Sequence, residues 1–138
     1  MSFALDKRLE ADSVLVCDLP LSQVRLHKNA AFPWVLLIPR QNGIVEIIDL
    51  SLSDQEQLWH EIRQASQIVK KLFAPTKINV ANLGNVVPQL HVHVVARYDT
   101  DKAWPGPIWN SGVKEEYNAV MLQDRLAQLK AAFEKDAL

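Results

Sequence analysis

Gln89-Leu90-His91-Val92-His93-Val94-Val95-Ala96-Arg97 is the stretch whose reading decides the fold. Two histidines stand one residue apart inside an apolar, β-branched run, and such a run reads as a strand. Side chains alternate along a strand, so Gln89, His91 and His93 share one face while Leu90, Val92 and Val94 share the other. The apolar face packs on a core. The polar face then presents two imidazoles and an amide together, which makes this strand the candidate site.

The flanking sequence supplies the remaining elements. Residues near Leu5 to Ala11 read as a short helix, and Ser13 to Leu19 as a strand stopped by Pro20. Gln23 to His27 alternates polar and apolar residues and completes a hairpin with it. After the turn Lys28 to Pro33, the continuous apolar run Trp34 to Ile38 predicts a central strand buried on both faces. Ile44 to Ile47 reads as a short edge strand or extended segment. The clearest helix starts at Ser53, which has capping-box spacing to Glu56, and carries Leu58, Ile62, Ala65, Ile68, Val69 and Leu72 at helical intervals until Pro75. Lys77 to Ala81 is another strand, and Asn82-Leu83-Gly84-Asn85 is an amide-rich loop whose glycine suits positive φ. Asp99 to Gly112, with two Pro, two Trp and two Gly, is expected to be irregular. A second helix is expected from about Glu115, with Leu122, Leu126, Leu129 and Phe133 on one stripe. Strands adjacent in sequence without regular crossover helices predict the α+β class: an antiparallel sheet of about five strands with two main helices.

Composition narrows the function classes. The 138 residues are most simply one domain, 1–138, with 49% hydrophobic and 22% charged residues, as in ordinary globular proteins. A formal charge of -1, without a charge run, gives no bulk electrostatic case for nucleic acid as a partner. No segment is long and apolar enough to span a bilayer. Cys17 is the one cysteine, so no intrachain disulfide forms, and the charged N-terminal stretch Met1 to Leu9 does not read as a signal peptide. The expected location is the cytoplasm.

Neutral imidazole near pH 7 is a nucleophile, a proton carrier and a metal ligand. Zinc or copper on His91 and His93 would need further donors, from His27 or His60. No Asp, Glu or Cys follows at ligand spacing, so no metal site is assigned. Two histidines merely filling a sheet surface is the other alternative, and it leaves their polar atoms without partners.

Val87-Pro88-Gln89-Leu90-His91-Val92-His93-Val94-Val95-Ala96-Arg97 resembles the signature of the histidine triad (HIT) family, His-φ-His-φ-His-φ-φ with φ hydrophobic. Phe32 to Arg40, the Ser53 helix, the amide loop and Trp104-Pro105-Gly106-Pro107 follow in the family's order, from about Ser13 to Trp109. The resemblance implies a HIT-like fold and a nucleotide hydrolase or nucleotidyl transferase. Such a protein cleaves phosphoanhydride or phosphoramidate bonds at the α-phosphate through a nucleotidyl-histidine, as a homodimer and without a required cofactor. His91 falls on the attacking histidine and His93 on the last one, which, if protonated, stabilises phosphate charge or protonates the departing oxygen. Gln89 replaces the first histidine of the triad, and Trp34 stands where many members carry a separate fourth histidine. Their joint presence reads as a coordinated repacking with Gln89 as a neutral hydrogen-bonding substitute.

The remaining candidates for substrate binding each have a structural alternative. Asn82 and Asn85 resemble phosphate-contacting positions, or simply form the turn. Arg97 offers charge to a phosphate, or lies exposed at the strand end. Trp104 and Trp109 stack on a base or reach the partner subunit's site, or pin the proline-rich segment to the core. Cys17 reads as a small core residue. The alternative at the level of function is a catalytically weak nucleotide-binding or regulatory protein that keeps the pocket.

Overall fold

The computed structural model describes residues 2–136. Five strands form one antiparallel sheet in the order β1-β2-β3-β5-β4. β1 (Ser13–Asp18) and β2 (Ser22–His27) make the expected hairpin, and β3 (Trp34–Pro39) lies at the centre with every residue buried. β4 (Lys77–Ala81) is an edge strand beside β5 (Val92–Arg97), which pairs on its other side with β3. The helices are α1 (Lys7–Asp12), α2 (Leu52–Phe73) and α3 (Ala119–Asp136). No helix among the described residues is long and apolar enough to cross a membrane.

One sheet face carries Val24, Leu26, Val35, Leu37, Val92 and Val94 against Leu58, Ile62, Ala65 and Val69 of α2 and Leu129 and Phe133 of α3. The opposite face carries Trp34, Leu36, Ile38 and Val95, and packs with Leu9 of α1, Phe32 and Ile108. That second layer lacks a long helix. The N-terminal segment and the stretch after β5 cover it, with Phe3, Leu5, Ala103, Trp109 and Val113 partly buried there.

Four details differ from the expectations. The cap of α2 is Ser51, whose hydroxyl accepts from Asp54 N at 3.2 Å, because Ser53 already lies inside the first turn. Ile44 to Ile47 is not a strand. Asp49 Oδ2 accepts from Glu46 N at 2.9 Å and closes a 3₁₀ turn over Ile47–Asp49. α3 starts at Ala119 rather than Glu115, because Glu116 bridges to Asn29 and Asn118 Oδ1 caps Met121 N at 2.8 Å. The histidine strand is extended only from Val92; Leu90 N donates to Ile44 O at 2.9 Å, so the chain at Gln89 bends away from the ladder.

Candidate active site

β5 aims the histidines because its register against β3 sets Leu36 opposite His93 and Trp34 opposite Val95. His93 therefore shares a face with Trp34 and Leu36, away from the α2 core. His91 lies one step before the strand, and its ring meets that of His93 edge-on, with centroids 4.9 Å apart. Both residues are 6% exposed.

The hydrogen bonds settle which nitrogen of His91 is free. His91 Nδ1 lies 2.6 Å from the Gln89 carbonyl oxygen. A carbonyl only accepts, so Nδ1 carries a proton, and in the neutral ring Nε2 holds the lone pair. That is the form a nucleophilic imidazole needs.

His93 is held in the opposite sense. Its Nδ1 accepts from Trp34 Nε1 at 3.0 Å. Burial pushes its pKa down to about 3, with His91 and His27 adding to the shift. The condition attached to its acid role, a protonated ring, is disfavoured here: with Nδ1 accepting, the neutral ring carries its proton on Nε2. His93 Nε2 and Trp109 Nε1 are both buried without a hydrogen-bond partner among the described residues, and their rings stand edge to face at 5.1 Å. Two adjacent unpaired donors mark a place suited to an acceptor-rich group.

Trp34 connects these residues to a third imidazole, His27, which stacks on it at 3.7 Å with an interplanar angle of 5°. His27 Nδ1 accepts from Asn29 N at 3.0 Å, and burial lowers its pKa to about 4. A cavity of about 810 Å³ opens beyond Trp34, lined by His27, Trp34, Trp109, Lys28 and Lys114 among others. Neither His91 nor His93 lines it. Trp34 and Trp109 are its shared wall with the histidine pair.

In the sequence His27 stands out only as a candidate metal ligand. The signal for its place is the β2–β3 register, since Leu26 opposite Val35 puts His27 beside Trp34. Among the described residues no group of three or more His, Cys, Asp or Glu is placed to hold a metal ion.

The other candidates distribute unevenly. The Gln89 side chain turns to the N-terminal segment: Oε1 accepts from Asp6 N at 2.8 Å and Nε2 donates to Ala4 O at 2.9 Å. It does not join the imidazoles on a strand face, because residue 89 precedes the strand. Gln89 thus ties the N-terminal segment with its side chain while its carbonyl orients His91. Gln89→Ala removes both side-chain bonds, with an expected loss of about 1–2 kcal/mol and faster proteolysis near Ala4. Unchanged denaturant midpoint and proteolysis would show that the amide clamp contributes little.

Asn82 and Asn85 are exposed on their loop around Gly84, whose φ is 84°, and neither makes a side-chain hydrogen bond among the described residues. Arg97 is not exposed at a strand end; it is 2% exposed. Its Nε and Nη2 donate to Asp101 at 2.9 and 3.1 Å, and its Nη1 donates to Asn79 Oδ1 at 3.0 Å. Trp104 lies against that guanidinium, 5.8 Å from ring centroid to Cζ. Arg97 and Trp104 therefore hold the segment after β5 in place, and the guanidinium is already committed to Asp101 and Asn79. Cys17 is half-buried, its thiol pushed up to about 11 by burial and by Asp18.

The comparisons agree with this fold. A histidine triad protein from Bradyrhizobium japonicum is 42% identical, with a TM-score of 0.93 over 96% of this chain and 98% of that one. A histidine triad protein from Marinobacter aquaeolei VT8 is 38% identical, with a TM-score of 0.94 over 98% of each chain. The bis(5'-nucleosyl)-tetraphosphatase [asymmetrical] of Schizosaccharomyces pombe is 28% identical over 107 residues; the match covers 74% of this chain but only 59% of that protein's length. The family model described as HIT domain matches residues 8–100, a span containing both histidines and Trp34, and the chain belongs to that family.

Proposed function

We propose that this protein is a nucleotide hydrolase or nucleotidyl transferase that works at a substituted α-phosphate through a covalent bond to His91. The observation that carries the reading is the His91–Gln89 hydrogen bond, which leaves Nε2 as the nucleophile beside a second imidazole. His91 attacks phosphorus and expels the leaving group, and water or another acceptor then attacks the nucleotidyl-histidine. The unpaired N–H groups of His93 and Trp109 donate to phosphate oxygens as charge develops there. The neighbouring cavity takes the nucleoside or the group beyond the α-phosphate, with Lys28 and Lys114 available to phosphate charge. The dinucleoside tetraphosphatase named above supports nucleotide chemistry in general terms.

Gln89 in place of a first triad histidine fits this scheme, because its backbone carbonyl serves His91 and any residue can supply that group. We also read the protein as a homodimer. β4 leaves one edge unpaired, and Val80 on it, with Leu83 and Val86 in the following loop, is exposed. Sedimentation should give twice the 15.6 kDa chain mass at micromolar concentration; a persistent monomer would end that part of the reading.

The test of function is a metal-free panel of nucleoside polyphosphates, acyl-adenylates and phosphoramidates, followed by intact-mass measurement after rapid quenching. Turnover with a mass increase of one nucleoside monophosphate, located at His91, is expected. Saturable nucleotide binding with neither turnover nor adduct would instead identify a binding protein.

A further inference from the structure

Resting on that functional reading, we propose that Trp34 locks His93 as a hydrogen-bond donor that cannot transfer its proton, so that the site takes anhydrides of the nucleotide α-phosphate in preference to phosphoramidates. Indole has one N–H and no acceptor. With Trp34 Nε1 at 3.0 Å, His93 Nδ1 must be the acceptor and carries no proton. Protonating His93 would set an imidazolium N–H against the indole N–H, donor against donor. Trp34 has little freedom to turn away, because it stacks flat on His27 and meets Trp109 edge-on at 6.3 Å. The titratable groups acting on His93 are both imidazoles, His91 beside it and His27 across Trp34, and burial disfavours the charged ring further. The neutral ring donates a hydrogen bond from Nε2, but surrendering that proton would create an imidazolate, which is too basic to form near neutral pH.

The consequence falls on the leaving group. The His91 Nε2 lone pair forms a bond to the α-phosphorus, the bond from phosphorus to the leaving atom breaks, and its electron pair stays on that atom. In a phosphoric or carboxylic anhydride the atom is an oxygen that is stable as an anion at neutral pH. In a phosphoramidate it is a nitrogen, which must gain a proton as it leaves, and His93 has none to give. Water then attacks phosphorus, the pair of the N–P bond returns to His91 Nε2, and the water proton passes to solvent. Trp34 is thus a positioning residue that sets specificity through His93.

The experiment compares kcat/KM for a dinucleoside polyphosphate and a nucleoside 5′-phosphoramidate of the same base, in the native protein and in Trp34→Phe. ¹⁵N NMR of His93 is recorded alongside. The native protein should favour the anhydride by about 100-fold or more, the usual contribution of a general acid that is missing here. His93 should remain the Nε2–H tautomer from about pH 5 to 8, a range spanning the ordinary histidine pKa. Trp34→Phe should give mixed tautomers and narrow the preference by about 10-fold, a fraction of the full general-acid effect. Equal kcat/KM on both substrates, or a His93 ring doubly protonated in that range, would overturn the inference. Both readouts are available from the native protein, so they stand even where Trp34→Phe folds poorly. Phosphoramidate turnover equal to that of the anhydride, with the His91 adduct intact, sinks the specificity argument alone, whereas no turnover on either substrate and no adduct sinks the functional reading with it.

Discussion

His91→Ala is expected to lower turnover by about 10⁴–10⁶-fold and to abolish the nucleotidyl adduct, the scale seen when a nucleophile is removed. Under the proposed mechanism alanine takes away the atom that bonds phosphorus, and no neighbour among the described residues replaces it. His93 is the one other imidazole beside the reacting position, and its Nδ1 is occupied by the Trp34 N–H. Its Nε2 carries the remaining proton, so neither nitrogen offers a lone pair. Removing His91 also leaves the Gln89 carbonyl without its 2.6 Å partner, at a cost of about 1–3 kcal/mol. The melting temperature of the variant must therefore be measured with its rate. His91→Gly separates the two effects, because the cavity it leaves can admit added imidazole. Partial recovery of turnover with imidazole, without recovery of the protein-bound adduct, would place the lost chemistry in the ring itself. Retention of more than about a tenth of native activity in a folded His91→Ala protein would remove His91 from the mechanism, since nucleophile loss is never that mild.

The elements with a clear period were legible in the sequence, and the side-chain partnerships across the sheet were not. The apolar run Trp34 to Ile38 announced a strand buried on both faces, and the histidine run announced its neighbour, because periodicity records burial directly. Gln89 shows where that logic stops. Period-two reasoning put it on the imidazole face, but the bond from Leu90 N to Ile44 O turns the chain before the strand begins. Ser53 was a sound cap by composition and lost to Ser51, two residues away, because either serine satisfies the same local rule. The Trp34–His93 bond depends on register between strands distant in sequence, and the His27 stack on the register across the β2–β3 turn, neither of which the period of a single strand encodes. Arg97 was misjudged for a different reason: its carboxylate partner Asp101 is only four residues on, but lies on a segment with no regular structure, where no period places a side chain.

Arg97→Met is expected to cost about 3–5 kcal/mol, the penalty for breaking a buried ion pair from one side. Arg97 and Asp101 have side chains 2% and 7% exposed, and the pair is bidentate, a geometry in which planar guanidinium and carboxylate match. Asp101 also accepts from the backbone N–H groups of Tyr98 and Ala103, both at 3.1 Å. Burial alone would raise the Asp101 pKa, but Arg97 and those two N–H groups outweigh it and hold the carboxyl below its ordinary value. A depressed folded-state pKa contributes stability above the unfolded value of about 4, and that contribution disappears as pH falls through the folded value. Methionine reverses the balance, because Asp101 is then buried without its cation and protonates more readily. The gap between native protein and variant should thus be widest at neutral pH and should narrow in acid. Asp101→Asn added to Arg97→Met should recover part of the loss by removing the stranded charge. The effect also reaches the site, since the Arg97–Asp101 pair anchors the segment that carries Trp109 to His93. A loss below about 1 kcal/mol, the level of an exposed pair, would mean that the Trp-rich segment is held by its aromatic packing on Phe32 and Trp34 and not by this ion pair.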